Sequence, residues 1–558
     1  MKCAPNNMLS WQLTSRQLCD VELILNGGFS PLNGFMSEND YKSVLENMRL
    51  SDKTVWPMPI VLDVNEGFAQ SLQKDQEIFL CNHEGTIIAL MTVSDIWKPN
   101  KTAEAIAVFG SNDKMHPAID YLHNQAGDYY LGGKLTKIKM PAHYDFTELR
   151  KTPAELKKAF AQLGWEKIVA FQTRNPMHRA HQELTIRAAK QNNANLLIQP
   201  VVGMTKPGDI DHYTRVRCYK KMLRRYQADS TMLSLLPLAM RMAGPREALW
   251  HAIIRKNYGA THFIVGRDHA GPGNNSEGNP FYGPYDAQEM VRNYEDEIGI
   301  KMVPFQEMVY VKERACYVPV NQAAENETML KISGTEFRRR LRDGLGIPEW
   351  FSYPEVISEL RKSYPPMSQR GFTLFFTGLS GAGKSTIANA VLAKLMEVGT
   401  KPITLLDGDI VRQHLSSELT FSKEHRDLNI KRIGFVAAEI TKNSGIAICA
   451  PIAPYKEVRR YVRQQVESVG GFLEIFVSTP LKICKERDVK GLYAKAEAGI
   501  IENFTGVSDP YEVPEHPELE IDTSNISVEE AVKQILLKLE SLGYLSPMAS
   551  KQPEMEYA

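Results

Sequence analysis

The chain has 558 residues, too many for a single hydrophobic core, so its length predicts about two to four domains. Lys+Arg and Asp+Glu both number 66, which argues against a nucleic-acid-binding or membrane-surface protein, because the net charge of such proteins is usually basic. The seven cysteines include no Cys-x-x-Cys pair and no run of about 18 apolar residues occurs, so we expect a cytoplasmic protein without a disulfide framework, a thiolate metal site or a membrane span.

Short β-like segments occupy the first part of the chain, at 56–63, 77–81 and 86–93, separated by turn residues. From about residue 165 the pattern changes to alternating strands and helices. The predicted strands are 167–172, 196–202, 232–239 and 262–265, and the predicted helices are 178–191, 214–228 and 245–258. This alternation is typical of βαβ units, so we expect a β-rich domain over 1–148 and an α/β domain with a parallel sheet over 149–345.

Two histidines open the predicted helix 178–191. His178 and His181 are three residues apart and therefore point the same way at the start of a helix. Backbone N–H groups, the helix dipole and two imidazoles together favour a polyphosphate ligand there. The alternative is a zinc site, but no further cluster of Cys, His or Asp has a suitable spacing, so we do not expect zinc.

The segment 331–335, Lys-Ile-Ser-Gly-Thr, precedes a predicted helix at 336–342. Its spacing is similar to a phosphate-binding signature of other nucleotidyl transferases, whereas the simpler interpretation, which we favour, is that Ser333 or Thr335 caps the helix. Residues 346–370 are rich in proline and aromatic residues and are predicted to be a partly ordered linker, and the tail 547–558 is predicted to be disordered.

A glycine-rich loop follows an apolar strand predicted at 373–376 and leads into a helix predicted at 387–397. Its sequence matches G-x-x-x-x-G-K-S in the strand–loop–helix context that a phosphate loop requires. Lys384 would neutralise β- and γ-phosphate charge, and the Ser385 hydroxyl would bind Mg²⁺. The predicted ATP-binding residues are Gly378, Ser380, Gly381, Ala382, Gly383, Lys384, Ser385 and Thr386.

Residues 371–546 resemble the adenylylsulfate (APS) kinases through GLSGAGKST, LDGDIVRQHL, FSKEHRDLNIKRIG, PIAPYKEVRR and DVKGLYAKAEAGIIENFTGVSDPYEVPE. The resemblance implies that Asp407 orients the 3′-hydroxyl of APS and assists its deprotonation. It also implies a set of APS-binding residues: Asp407, Asp409, Arg412, Phe421, Arg426, Asn429, Ile452, Ala453, Lys495 and Phe504. Arg459, Arg460 and Arg463 fit a solvated helix face.

Ala453 departs from the pattern of this family. Many members have serine at this position, which has been described as a phospho-enzyme site in the family. Without a hydroxyl group, Ala453 cannot form such an intermediate, so direct in-line transfer is the mechanism left open.

Residues 1–345 resemble the ATP sulfurylases through CDVELILNGGFSPLNGFM, FQTRNPMHRAHQ, LPLAMRMAGPREALWHAIIRKNYG, VGRDHAGPG and KISGTEFRRRLRDG. The resemblance implies that the catalytic residues are Thr173, Arg174, Asn175, His178 and His181. It implies that ATP is bound by Gln172, Asn175, Gly266, Arg267, Asp268, His269 and Val309. Sulfate would be bound by the Arg174 guanidinium and by the backbone of Ala270.

The two resemblances imply a multidomain α/β protein with a β-rich, PUA-like N-terminal domain, a Rossmann-like nucleotidyl-transferase domain and a C-terminal phosphate-loop kinase domain with a parallel sheet. They imply two reactions, from sulfate and ATP to APS and from APS and ATP to 3′-phosphoadenylyl sulfate (PAPS). The expected cofactor is Mg²⁺ with ATP, without a tightly bound organic cofactor. The expected partners are ATP, sulfate, APS and further copies of the chain as a homo-oligomer, with no nucleic acid and no membrane. Two alternatives stay open: a kinase-like domain that only regulates, and a sulfurylase that works in the ATP-forming direction.

Overall fold

The computed structural model describes residues 8–545 except 207, 306, 400, 489–490 and 502. The chain divides into two compact units. The first contains Met1–Ile332 and Ile347–Leu360, and the second contains Ser333–Gly346 and Arg361–Ala558. The predicted tail at 547–558 and the side chain of Asp409 lie outside the described residues. Among the helices that the structure describes, none is both long and apolar enough to span a bilayer.

A six-stranded sheet and five short helices form the N-terminal part of the first unit. The strands are β1 (Ser10–Gln12), β2 (Gly34–Phe35), β3 (Leu62–Val64), β4 (Glu77–Cys81), β5 (Ile87–Trp97) and β6 (Tyr129–Lys137). The helices are α1 (Ser15–Leu25), α2 (Glu38–Asn47), α3 (Glu66–Gln70), α4 (Lys101–Phe109) and α5 (Pro117–Asn124). The sheet order is β1-β4-β5-β6-β2, with β3 paired to β6. The sequence pattern did not predict these helices, which have only 5 to 11 residues.

A five-stranded parallel sheet forms the rest of the core of the first unit. Its strands are β7 (Ile168–Phe171), β8 (Asn195–Ile198), β9 (Thr231–Leu233), β10 (His262–Val265) and β11 (Lys301–Pro304). The helices α6 (Pro153–Gln162), α7 (Arg179–Gln191), α8 (His212–Leu223), α9 (Gly244–Asn257) and α10 (Asp286–Ile298) alternate with them. The order is β11-β10-β7-β8-β9, so β7 and β10 are neighbours, with Phe171 beside Ile264. Because both strands are parallel, the loops that follow them lie at the same edge of the sheet.

Two further helices and a small sheet follow. The sheet contains β12 (Met308–Val311), β13 (Cys316–Pro319) and β14 (Met329–Leu330), and the helices are α11 (Gly334–Arg342) and α12 (Pro354–Ser363). Ser333 caps α11, since its hydroxyl accepts the backbone N–H of Glu336 at 3.1 Å. The segment predicted to be a linker contains α12, in which Val356 and Leu360 are completely buried. Residues 347–360 therefore belong to the core of the first unit.

The second unit is built on another five-stranded parallel sheet. Its strands are β15 (Phe372–Thr377), β16 (Ile403–Asp407), β17 (Ile446–Ala450), β18 (Gly471–Val477) and β19 (Leu519–Ile521). Its further helices are α13 (Lys384–Val398), α14 (Gly408–His414), α15 (Lys423–Lys442), α16 (Lys456–Glu467), α17 (Leu481–Arg487), α18 (Leu492–Glu497) and α19 (Val528–Ser541). The order is β16-β17-β15-β18-β19, which places the fully buried β15 at the centre. The predicted fold class is confirmed.

Candidate active sites

The loop after β7 is folded by a small hydrogen-bond network. The Thr173 hydroxyl donates to the carbonyl of Asn175 at 2.9 Å and accepts the Asn175 N–H at 3.1 Å. Tyr219 of α8 donates to the same carbonyl at 2.7 Å. Thr173 and Tyr219 therefore fix the backbone from which Arg174 and Asn175 project.

The histidine pair lies at the start of α7, as predicted. The backbone N–H of His178 donates to Nδ1 of His181 at 3.2 Å, which leaves the proton of the neutral His181 ring on Nε2. Nδ1 of His178 lies 3.0 Å from the Ser352 hydroxyl, and the ring of His178 packs against Phe351 at 4.7 Å between centroids. Ser352 and Phe351 belong to the segment predicted to be a linker, and no sequence motif predicts their place beside the site.

Burial keeps both imidazoles neutral. It lowers the pKa of His178 to about 3, with a further contribution from His181, and lowers the pKa of His181 to about 4. At neutral pH the pair therefore offers neutral N–H donors to a phosphate, rather than two positive charges.

We expect the first unit to lose stability in mild acid. The pKa values of His178 and His181, and that of His116 at about 4, lie below the ordinary 6.5, largely because of burial. The unfolded chain takes up these protons near pH 6.5 but the folded chain does not, so stability is complete above pH 6.5 and falls towards pH 4. Each histidine should cost about 2 kcal/mol at pH 5. Calorimetry of the full chain at pH 7 and pH 5 checks this, with tryptophan fluorescence identifying the first unit, since all six tryptophans lie in it. Equal melting temperatures for that unit would contradict the prediction.

Arg174 forms an ion pair with a residue that the sequence did not predict. Its Nη1 lies 2.8 and 2.6 Å from the two carboxylate oxygens of Asp209, and both side chains are largely buried. Asp209 comes 35 positions later in the chain. A sulfate ion at Arg174 would therefore compete with this carboxylate.

The loop after β10 contains two non-glycine residues in the left-handed region, Asp268 at φ 50° and Ala270 at φ 56°. Arg267 is exposed and lies 3.7 Å from Glu307, which also pairs with Lys331 at 3.0 Å. Gly266 and His269 contact each other within the loop. Two other predicted ATP contacts are buried: Val309 in β12 is 1 % exposed, and Oε1 of Gln172 has no hydrogen-bond partner among the residues that the structure describes.

Within the described part of the chain, no group of three or more His, Cys, Asp or Glu side chains is arranged to hold a metal ion.

The phosphate loop of the second unit opens into a cavity of about 1070 Å³. The loop backbone requires glycine at Gly381 and Gly383, whose φ angles are 73° and 102°. The Lys384 ammonium, at the start of α13, donates to the carbonyls of Gly378 and Leu379 at 2.9 and 2.7 Å. Loop residues that line the cavity are Ser380, Gly381, Gly383, Lys384, Ser385 and Thr386.

The same cavity is also lined by most of the predicted APS-binding residues. They are Asp407, Arg412, Phe421, Arg426, Asn429, Ile452, Ala453 and Phe504. Arg426 donates to Asp509 at 2.8 Å, to Thr505 at 3.0 Å and to Tyr455 at 2.7 Å, so its guanidinium is held in place. Lys495 is exposed on α18 and is not among the residues that line the cavity.

The interpretation of the α16 arginines as a solvated face is wrong for Arg459. This side chain is 4 % exposed and lies 3.0 Å from the buried Glu474, and it donates to the carbonyl of Ala453 at 2.7 Å. Ala453 itself has φ 45°, and Thr377 donates to the carbonyl of Ile452 at 2.8 Å. Arg459 and Thr377 therefore brace the cavity wall at Ile452 and Ala453.

Residues that sequence reasoning missed also line the cavity. They are Arg487, Thr523, Ile526, Ser527, Val528 and Ala531, among others. Arg487 donates to the Thr523 hydroxyl at 2.8 Å, and that hydroxyl donates to the carbonyl of Ala382 in the phosphate loop at 3.0 Å. They lie about 100 or more positions beyond the loop, and only the folded sheet brings them beside it.

Three family models match the chain: a PUA-like domain over 1–140, ATP-sulfurylase over 147–363 and adenylylsulphate kinase over 370–522. A sulfate adenylyltransferase of Phaeosphaeria nodorum is 55% identical over 96% of this chain and 94% of its own length. One of Mycosarcoma maydis is 55% identical over 95% and 93%. A solved structure described as a hexameric APS kinase from Thiobacillus denitrificans has a TM-score of 0.80 and 41% identity, over 97% of this chain and 94% of that one.

Proposed function

We propose that this chain, which belongs to the sulfate adenylyltransferase family and carries an adenylylsulfate kinase domain, catalyses both steps of sulfate activation. The first unit would form APS and pyrophosphate from ATP and sulfate. The second unit would form PAPS and ADP from APS and a second ATP. The main support is the complete phosphate loop, which shares one cavity with the acceptor-side residues Asp407, Arg426 and Asn429.

In the first reaction, a sulfate oxygen attacks the α-phosphorus of ATP and pyrophosphate leaves. Sulfate is an anion at neutral pH, so no general base is needed. Arg174 would orient sulfate, and Nε2–H of His181 would donate to phosphate oxygens as their charge grows. The neutral imidazole of His178, next to His181, would help to stabilise the same phosphate oxygens. The contribution of the protein is therefore positioning and charge stabilisation.

In the second reaction, the 3′-hydroxyl of APS attacks the γ-phosphorus of ATP. Asp407 would accept the hydroxyl proton, and Lys384 would move from its loop carbonyls to phosphate oxygens. Ser385 and Asp407, which both line the cavity, fit Mg²⁺ as oxygen donors beside nucleotide phosphates. The ion would neutralise phosphate charge when bound.

The two activities complement each other on one chain. APS is a mixed anhydride of sulfate and phosphate, so its formation is unfavourable unless a later step removes APS or pyrophosphate. The kinase would supply that removal.

Two alternatives remain for the experiment to separate. The curated relatives are named for the adenylyltransferase alone although they match across the kinase region, which fits a kinase domain that binds and regulates. The retained Lys384 and Ser385 favour an active kinase. An adenylyltransferase can also work in the ATP-forming direction.

The deciding measurement incubates the full chain with ATP, Mg²⁺ and sulfate and follows APS and PAPS by chromatography. PAPS formation supports the bifunctional proposal. APS without PAPS, also after APS is added directly, supports the regulatory alternative. ATP formation from APS and pyrophosphate measures the reverse direction.

We also propose a homo-oligomer, supported by the description of the Thiobacillus denitrificans protein as hexameric. Light scattering after size-exclusion chromatography tests this.

We expect phosphoryl transfer without a phospho-enzyme at Ala453. In-line placement and charge neutralisation by Lys384 and Mg²⁺ govern this transfer, so a serine nucleophile would remove no evident barrier. After incubation with ATP and Mg²⁺, intact-mass analysis should show no added phosphate while APS-dependent turnover is normal. A phospho-enzyme that passes its label to APS would refute direct transfer.

A further inference from the structure

Glu247 is a completely buried carboxylate in the first turn of α9. It accepts the backbone N–H of Arg241 at 3.0 Å and that of Ala243 at 2.7 Å. Between these two residues, Met242 has φ 60°, a left-handed conformation that is unfavourable for methionine. One carboxylate therefore holds the strained turn that leads into α9.

The same carboxylate reaches the loop after β10 through two histidines. Nε2 of His251, one turn along α9, lies 3.2 Å from Glu247, and its Nδ1 lies 3.1 Å from Nε2 of His269. Nδ1 of His269 lies 3.3 Å from the backbone nitrogen of Gly266.

These contacts form a row from Gly266 through His269 and His251 to Glu247. The donor at one end, the Gly266 N–H, determines which nitrogen donates at each step. The Gly266 N–H can only donate, so Nδ1 of His269 accepts and its ring proton is on Nε2. That proton points to Nδ1 of His251, whose own proton is then on Nε2, which lies 3.2 Å from a carboxylate oxygen of Glu247 but outside good hydrogen-bond geometry. Both ring nitrogens of His269 are used within the protein.

The two segments meet at the proposed sulfate site. The Gly244 N–H donates to the carbonyl of Ala270 at 3.3 Å. Asp268 and Ala270 have left-handed backbones that surrounding contacts must hold in place. The row supplies contacts to both segments: Glu247 accepts two amide hydrogens of the turn 241–244, and His269 accepts the amide hydrogen of Gly266.

The protonation states agree with this row. Burial alone raises the pKa of Glu247, but the nearby His251 imidazole and the hydrogen bonds from the two amides outweigh it and hold the pKa below its ordinary value. Burial lowers the pKa values of His251 and His269, so both rings are neutral. The buried Arg255 also interacts electrostatically with Glu247.

We propose that Glu247, His251 and His269 are positioning residues for the adenylyltransferase reaction, holding the turn 241–244 and the loop 266–270 in register at the sulfate and nucleotide site. His269 then braces its loop instead of binding ATP, unlike the role that the family resemblance implies. This inference rests on the proposed first reaction.

The test is a double-mutant cycle on the full chain with His251→Asn, His269→Asn and both together. Turnover and KM for ATP and sulfate are measured for APS formation, with the melting temperature and the kinase activity of the same preparations as folding controls. Each single variant should lower kcat about 10- to 100-fold. The double variant should have the same kcat as the less active single variant, because both changes interrupt the same row of contacts.

Other outcomes would overturn the proposal. A direct ATP ligand predicts that His269→Asn raises KM for ATP, that His251→Asn does not, and that the two effects multiply. A purely structural role predicts a lower melting temperature with unchanged kcat for the folded protein. A wild-type chain that makes no APS would refute the proposed function itself, so the two failures are distinguishable.

Glu247→Gln keeps one acceptor oxygen, so its amide nitrogen would face the N–H of Ala243 or, after a flip, the N–H of Arg241 beside His251, and the variant should also lower kcat. The matched control is Glu183→Gln on the surface of α7, where the carboxylate pairs with Arg187 at 2.7 Å. Should Glu247→Gln fail to fold, the histidine cycle still decides, since it leaves the bonds to Arg241 and Ala243 intact.

Discussion

Replacing Lys384 by alanine should abolish PAPS formation, by about 100-fold or more, while sulfate-dependent pyrophosphate release stays nearly normal. The ammonium group is largely buried at the start of α13, where it contacts the carbonyls of Gly378 and Leu379. No other residue of the loop 378–386 carries a positive charge that could stabilise the transferring phosphoryl group. The measurement compares APS kinase turnover with pyrophosphate release on one preparation.

Lys394→Ala is the matched control, since Lys394 lies on the same helix and forms an exposed pair with Glu397 at 2.9 Å. It should leave both activities unchanged. Loss of both activities in Lys384→Ala, with the melting temperature preserved, would contradict independent sites.

The second large effect is expected from Arg174→Lys. Lysine keeps the charge but lacks the planar guanidinium that can bind two sulfate oxygens in place of the Asp209 carboxylate. We expect kcat/KM for sulfate to fall about 100-fold and kinase turnover to be unaffected. Initial rates at varied sulfate and saturating ATP provide the measurement.

Arg49→Lys is a suitable control because Arg49 also pairs with a carboxylate of the first unit, that of Glu297, and its side chain is 31 % exposed. Unchanged sulfate kinetics in Arg174→Lys would show that Arg174 is not the sulfate ligand. An equal loss in both variants would indicate a general effect of arginine replacement.

Elements with short, dense apolar runs were predicted well from the sequence. The expected strands at 77–81 and 262–265 coincide with β4 and β10. The strand expected at 232–239 ends at Leu233, although Leu235, Leu236 and Leu238 are completely buried. The apolar run there fills the core as irregular backbone, and residue patterns do not distinguish this from a strand.

In the candidate sites too, local motifs could be predicted and tertiary contacts could not. Loops whose residues are contiguous, at 172–181 and 378–386, could be predicted because a motif contains both the backbone and the side chains. Side chains that contact these loops from distant parts of the sequence could not be predicted. Asp209 beside Arg174, Ser352 beside His178 and Arg459 behind Ala453 depend on tertiary packing, and none has a local signature.

The path of the chain between its two units limits how the protein can be divided. It passes from one unit to the other after Ile332, after Gly346 and after Leu360. Composition alone would place the boundary between two separately expressed parts at 346, where the predicted linker begins. A cut there removes Ser352 from the ring of His178 and α12 from its hydrophobic contacts. A separately expressed adenylyltransferase therefore needs the chain through 360 to keep its histidine pair intact. Exchanging kinase domains between relatives should likewise succeed only when the junction follows that point.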